Sequence, residues 1–208
     1  MMQFYFAPGS VSLASHIALE EAGAEYEAVL MDGRVRMERG QEYLAINPKG
    51  RVPALVTARG VLTETIAILA WIATEYPEAN LMPVDPWQFA QAQAFNSYLA
   101  TTVHVAHAHR YRGHRWATEE SSFEDMRRKV PITMTECVAQ MERGLFRGPW
   151  VMGEQFTVCD GYLFTMSEWA EGDGVDMAAF PRLQEHRERI CLRPGVRKVL
   201  AQIGSWRF

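Results

Sequence analysis

Apolar and polar side chains alternate over Gln3 to Ala7, a short aromatic strand closed by Pro8-Gly9. Ser10 or Ser12 then opens a helix whose apolar stripe, Leu13, Ala14, Ile17, Ala18 and Ala22, stops near Gly23. Tyr26 to Met31 reads as a second strand. With the helix as a crossover the two strands run parallel, so the pattern predicts a βαβ unit. Residues 38 to 46 carry a weak helical pattern. Pro53 to Thr57 and Val61-Leu62 form two β segments joined by Ala58-Arg59-Gly60, a hairpin-like connection. Thr65 to Tyr76 is a helix apolar nearly all round, through Ile66, Ile68, Leu69, Trp71 and Ile72. Such a helix is expected to be buried on several sides, between two domains.

The texture changes after Tyr76. Pro77 to Pro86 holds three prolines and no periodicity, as a linker does, and no strand pattern recurs beyond it. Phe89, Ala92, Phe95, Leu99, Val103 and Ala106 keep helical spacing along one long helix. A second runs from about Glu119 to Leu145, where Pro131 is expected to kink it. Val196, Val199, Leu200 and Ile203 mark the last. The predicted organisation is a small α/β domain over residues 1–79 and an all-helical domain over residues 87–208.

Composition narrows the function classes. In 208 residues, 48% apolar and 22% charged, the net charge is −4 with the two signs interspersed, which argues against a nucleic-acid partner. Arginines 34, 36 and 39, and Arg110, Arg112 and Arg115, form short local clusters that solvated helix ends account for. No apolar stretch approaches the roughly 20 residues that span a bilayer, and MMQFYFAPGS lacks the basic start and long apolar middle of a signal peptide. Cys137, Cys159 and Cys191 are odd in number and far apart, which suits a reduced cytoplasm and supplies neither a disulfide framework nor a zinc site.

Two segments carry chemistry. In Asn47-Pro48-Lys49-Gly50-Arg51-Val52-Pro53, a proline opening a strand after Gly50 is either a plain turn proline or a cis bond. The latter leaves the Val52 N–H and C=O free to pair with an extended peptide ligand. Thr63-Glu64-Thr65 precedes the apolar helix. It is either a helix cap or a site for an α-amino acid head group, with unpaired helix N–H groups for the carboxylate and Glu64 for the ammonium.

Together, in a βαβ-ββα frame, these segments resemble the glutathione transferase family, and most of all its bacterial beta class. P-G-S-V-S-L-A-S-H-I-A-L-E-E-A-G at residues 8 to 23 is similar to the family's first turn and helix, and F-T-V-C-D-G-Y-L-F at residues 156 to 164 to its buried helix start. There Thr157 and Asp160 form a capping box, a folding role worth about 1 kcal/mol. The resemblance implies a thioredoxin-like N-terminal domain, an all-helical C-terminal domain and a homodimer. It implies glutathione as cosubstrate, no permanently bound cofactor, and detoxification of small apolar electrophiles in the cytoplasm. It gives glutathione binding to Val52 and Pro53, with Arg51 on a carboxylate and Glu64 and Thr65 on the γ-glutamyl head.

The catalytic group departs from the family pattern. A free thiol has a pKa near ~8.5, and lowering it by about two units takes about 2.7 kcal/mol of thiolate stabilisation. The position of the tyrosine many transferases use is Phe6, and that of the beta-class cysteine is Val11, so thiol–disulfide exchange through that residue is excluded. Ser12 is then the first candidate donor, with helix N-capping as its alternative role; Ser10, the backbone N–H groups around the two serines and His104 follow, the last matching a beta-class histidine. The spacing of His104, His107, His109 and His114 does not put three ligands on one helical face, so no metal site is expected. Tyr111 and Trp169 are candidate walls of the electrophile pocket or plain core packing. Two other functions compete with transfer: a glutathione-binding carrier or interaction protein with little catalysis, and a glutathione-dependent isomerase or peroxidase.

Overall fold

The computed structural model describes residues 1–31 and 40–204. The arginine cluster at 34, 36 and 39 and the first residues of the weak helical pattern from 38 lie outside the described residues.

Four strands, β1 (Met2–Phe6), β2 (Tyr26–Leu30), β3 (Ala54–Thr57) and β4 (Gly60–Thr63), form one sheet in the order β2-β1-β3-β4. β1 and β2 are parallel, with Met2 opposite Tyr26, because α1 (Ser12–Glu21) carries the chain back over the sheet face. β3 is antiparallel to both β1 and β4, and Thr57 faces Gly60 across the tight turn that the Ala58-Arg59-Gly60 segment predicts. α2 (Gly40–Ile46) precedes β3, and α3 (Thr65–Glu75) follows β4. One face of α3 buries Ile68, Leu69 and Ile72, while Ile66, Ala70 and Trp71 stay half-buried.

Every described helix or strand after Glu75 is helical. α4 (Pro86–Tyr98) starts with Asp85 accepting the Gln88 N–H at 2.9 Å, and it passes through a π-helical stretch, Leu99–Val103, into α5 (His104–Ala108). The predicted single long helix is therefore one run with a widened turn in it. α6 (Glu120–Gln140) contains Pro131 and ends in a second π-helical stretch, Met141–Leu145. α7 (Val158–Ala170), α8 (Pro181–Cys191) and α9 (Pro194–Ile203) follow among the described residues.

α1 is the hinge of the packing. One hydrophobic cluster runs from Phe4 and Ile17 through Leu69 and Leu99 to Tyr162, Phe164 and Val199. α7 lies close against α1 because Gly161 has no side chain: a Cβ there would sit 3.2 Å from Ile17 Cγ2. Arg193 Nε donates to Glu21 at 3.0 Å and Lys198 pairs with Glu20 at 2.7 Å, tying α9 to the end of α1. The fold is a thioredoxin-like N-terminal region followed by a helical region: the pattern predicts the α/β-then-helical order, and the family resemblance implies the thioredoxin-like form.

Candidate functional site

The loop leading to Pro53 is braced from inside. Buried Asn47 donates from Nδ2 to the Arg51 carbonyl at 2.6 Å and accepts the Lys49 N–H on Oδ1 at 3.2 Å. The Tyr43 hydroxyl donates to the same carbonyl at 2.5 Å. Gly50 turns the chain with a φ of 61°, where a Cβ is disfavoured. The Val52–Pro53 peptide that follows is cis, the second of the two readings its sequence allowed.

β4 enters α3 through Glu64, whose φ of 72° and ψ of 121° lie outside the regions favoured by residues with a Cβ. Glu64 makes no side-chain capping bond, so the plain cap reading is not met and the first N–H groups of α3 stay available. Its carboxylate instead meets the Lys49 ammonium, which also donates to Thr63 Oγ1 at 2.8 Å. Both side chains are largely exposed, so the pair adds little stability.

Val52, Pro53, Glu64 and Thr65 line one cavity of about 460 Å³, with Asn47 and Arg51 beside them. Its opposite wall is helical: Ala100 from the π-helical stretch, His104 and Ala108 from α5, Arg115 and Trp116 beyond it, and Tyr162 from α7. A second cavity of about 320 Å³ adjoins it. The two share Val11, Arg51, Val52, His104 and Arg115, and Ser10, Tyr43, Arg112 and Trp169 help to close the second.

The turn before α1 decides which serine faces that space. Ser12 is 1% exposed; its Oγ accepts the Ala7 N–H at 3.1 Å and lies 3.1 Å from the Ala7 carbonyl. The Ser10 hydroxyl donates to that carbonyl at 2.7 Å, accepts the Ser12 N–H at 3.2 Å and lies 2.6 Å from Ser12 Oγ. Ser10 lines the second cavity and Ser12 lines neither. Ser12, the first candidate donor by sequence, has its hydroxyl bonded within the turn, and of the two serines it is Ser10 that lies on the cavity. Its alternative role is not met, since Val11 is the residue at the N-cap.

The cleft is cationic. Burial, with the charges of Arg112, His107, Arg115 and Arg51 added, pushes His104 down to about 4, so its ring is neutral near pH 7. Desolvation and the neighbouring charges of Arg51 and Arg112 also lower Arg115. Burial and the Glu64 charge raise the Tyr162 phenol, which stays protonated as a donor.

Behind His104 lies an aromatic cluster. Its ring is 5.1 Å from Trp169 and 6.5 Å from His107, and His107 stacks on Trp169 at 4.1 Å. Fully buried Asp173 accepts from His107 Nδ1 at 2.7 Å and from Arg110 at 3.2 Å. Trp169 is therefore both packed and a cavity wall. Tyr111 is not a wall: it is 69% exposed under the Arg110 guanidinium and lines neither cavity, because the chain turns away after α5. Among the described residues no three His, Cys, Asp or Glu side chains gather as a metal site.

Asn47, Tyr162, Trp116, Arg112 and Arg115 line the site without having been singled out for it in the sequence. For the last two, solvated helix ends were the expectation, and the cleft is where they sit. Asn47 opens the quoted loop motif, and a buried side chain there is the signal that could have found it.

Residues 1–74 match the family model described as the glutathione S-transferase N-terminal domain. Over 206 residues the chain is 31% identical to glutathione S-transferase GstA of Escherichia coli, covering 98% of this chain and 99% of that one. A glutathione transferase homologue from Sulfitobacter, solved with bound glutathione, matches with a TM-score of 0.93 and 46% identity over 97% of this chain and 98% of its own. The beta-class glutathione S-transferase of Sphingomonas chungbukensis matches with a TM-score of 0.85 and 33% identity, over 97% and 98% of the two chains. With that likeness running from end to end, the chain belongs to the glutathione S-transferase family.

Proposed function

We propose that the larger cavity holds glutathione and that the chain transfers its thiolate to a small electrophile seated in the smaller one. One observation carries this reading: Val52, Pro53, Glu64 and Thr65 line the same cavity as Val11 and His104. The glutathione-bound Sulfitobacter homologue supports it. In this reading the Val52 backbone pairs with the cysteinyl part, Glu64 receives the ligand ammonium in place of Lys49, and the N–H groups opening α3 receive its carboxylate. Arg51 takes the remaining carboxylate.

The sulfur then lies beside Val11. Two donors are within the lining of that space, the Ser10 hydroxyl and the neutral His104 ring. The thiol proton leaves to solvent, the sulfur lone pair attacks the electrophilic carbon, and the leaving group departs with its bonding electrons. Donors aimed at the sulfur lower its pKa, and the two adjoining cavities supply proximity. Trp169 and Tyr43 provide the apolar surface for the acceptor. A homodimer, for which the half-buried Ile66, Ala70 and Trp71 of α3 are suited, and a cytoplasmic role in detoxification complete the proposal.

The carrier reading has one observation in its favour: the Val11 side chain offers the sulfur no hydrogen bond, and both serine hydroxyls are bonded within the turn. Calorimetric titration with glutathione, ultraviolet thiolate absorbance of the complex, and turnover over an electrophile panel separate the two. Binding with a depressed thiol pKa and turnover supports transfer. Binding with neither supports the carrier, and no binding overturns both.

A further inference from the structure

We propose that Asp173 is a positioning residue: acting through His107, it holds the Trp169 indole in place as a wall of the smaller cavity. This rests on the transferase reading above, in which that cavity seats the acceptor, and it names the group that sets its shape.

Asp173 and His107 line neither cavity, but Trp169 lines the smaller one. The His107 ring lies on the indole with centroids 4.1 Å apart and planes 17° from parallel. Stacking alone leaves an imidazole free to turn about its Cβ–Cγ bond. Asp173 removes that freedom, because its carboxylate accepts from Nδ1 at 2.7 Å and so fixes both the edge and the plane of the ring. The Asp173 N–H donates to the Trp169 carbonyl at 3.0 Å. The carboxylate that holds the imidazole is thus anchored to the residue that the imidazole covers.

The arrangement joins two elements. His107 belongs to α5 and Trp169 to the last turn of α7. Arg110, just past α5, donates to Asp173 at 3.2 Å and to the Gly172 carbonyl. A Cβ at Gly172 would sit 3.2 Å from the Arg110 guanidinium, so the glycine permits that approach. α5 follows the π-helical stretch Leu99–Val103, where the widened turn shifts the helical register, and the ties to α7 fix where its side chains point. The Asp173 side chain is fully buried. Burying a carboxylate is costly, and well-packed apolar residues often serve stability as well as a buried ion pair does. What the charged pair adds is geometry: a flat ring held at one angle against one indole.

The test measures steady-state transfer to chlorodinitrobenzene. There the C–S bond forms as the C–Cl bond breaks, chloride leaves with the bonding electrons, and the thiol proton goes to solvent. Rates are taken per folded molecule, with urea denaturation giving the folded fraction. In Asp173→Ala the KM for the aryl chloride should rise about tenfold. The KM for glutathione should stay near its native value, because the tripeptide is held on the loop before β3 and the start of α3. Asp173→Asn keeps an acceptor for Nδ1 and should recover most of the loss. His107→Ala should match Asp173→Ala, and the double variant should be no worse than either, as two links of one chain require. Calorimetric titrations with S-dinitrophenylglutathione and with S-methylglutathione, which has no aryl group, should give the same pattern without turnover: the first weakened about tenfold, the second unchanged. Where Asp173→Ala does not fold, His107→Ala tests the same link, since it leaves Asp173 paired with Arg110.

An unchanged acceptor KM in the folded alanine variants, losses that multiply in the double variant, or an asparagine variant no better than the alanine one overturns the proposal. So does an equal weakening of both glutathione derivatives, since Asp173 would then serve the fold at large. The derivative pattern in a protein with no turnover would sink the transferase reading and leave the positioning of Trp169 standing.

Discussion

Three short contacts in the turn at Ala7 compete for two hydroxyl protons. Ser10 donates to the Ala7 carbonyl at 2.7 Å, Ser12 lies 3.1 Å from the same oxygen, and the two hydroxyls are 2.6 Å apart. If Ser12 gives its proton to Ala7, the Ser10 proton is released toward the cavity, so Ser12 acts through Ser10. Ser10→Ala is expected to raise the thiol pKa of bound glutathione by about one unit, ~1.4 kcal/mol of lost stabilisation. Ser12→Ala should shift it less and instead lower stability by about 1 kcal/mol, because the Ala7 N–H loses its acceptor. Thiolate absorbance against pH, with urea denaturation alongside, checks both, and a larger pKa shift in Ser12→Ala would reverse the roles. Glu64 poses the opposite trade. Its positive φ costs on the order of 1–3 kcal/mol in a residue with a Cβ. Glu64→Gly should therefore keep or raise stability by up to about 1 kcal/mol while glutathione affinity drops about tenfold. Thermal denaturation and calorimetric titration test this pair of outcomes. Val52, Pro53, Glu64 and Thr65, which share one cavity, could be named from the sequence because the family resemblance rests on the two short runs that hold them. Which of Ser10 and Ser12 faces the cleft could not, because a single residue of turn separates the alternatives and only the path of the chain decides. Arg112 and Arg115 were illegible for a related reason: a short cluster of arginines looks the same at a solvated helix end and at a cleft.

At the scale of elements, the start of α7 holds more than its own helix. Thr157 and Asp160 close a capping box, with the Thr157 N–H donating to Asp160 Oδ2 at 2.8 Å. Asp160 Oδ1 also accepts the Val151 N–H at 2.7 Å and lies 3.0 Å from His186 Nε2 on α8. The carboxylate is fully buried, so one side chain joins the preceding loop, α7 and α8. A cap alone is worth about 1 kcal/mol, but emptying this site strands the buried N–H groups of Val151 and Thr157 and takes the carboxylate from the Thr157 hydroxyl and His186. Asp160→Ala is expected to cost about 3–5 kcal/mol and Asp160→Asn distinctly less, measured by urea denaturation. A loss near 1 kcal/mol for the alanine variant would reduce Asp160 to a simple cap. The box itself was readable, since it needs only Thr157 and Asp160 three apart. Its further partners come from residues 151 and 186, and sequence spacing says nothing of them. α8 escaped the hydrophobic pattern because its buried stripe is Leu183, His186 and Ile190, with a histidine where an apolar residue would have announced it. The π-helical stretch at Leu99–Val103 left no compositional trace either, although it precedes the turn of helix that carries His104 into the cleft.

Across the whole molecule, the sheet-bearing region and the helical region share one core. α1 packs against α7 and α9, and the same hydrophobic cluster holds residues from β1 to α9. Neither region keeps its core when the other unfolds, so tryptophan fluorescence, which reports mostly on the helical region, and far-ultraviolet dichroism should trace one coincident transition. His16 gives that transition a pH dependence. It is 1% exposed, with its ring 5.3 Å from Phe4, 4.9 Å from Phe6 and 5.8 Å from Tyr26. Burial pushes it from 6.5 down to about 4, against the opposing pull of Glu20. The folded protein therefore keeps the ring neutral until about pH 4, while the unfolded chain binds the proton from about 6.5 downward. Between those values the unfolded state holds more protons, so stability is complete above the window and is lost as pH falls through it. For His16 alone the loss is about 3 kcal/mol, and His104, shifted in the same direction, adds to it. Urea midpoints measured from pH 7 to 4 should fall with both probes still coincident, and His16→Leu should flatten the slope, whatever it does to stability at neutral pH. An unchanged slope would mean that the ring takes up its proton inside the fold; probes that separate on acidification would mean that the α1 interface with the helical region opens before the two regions unfold.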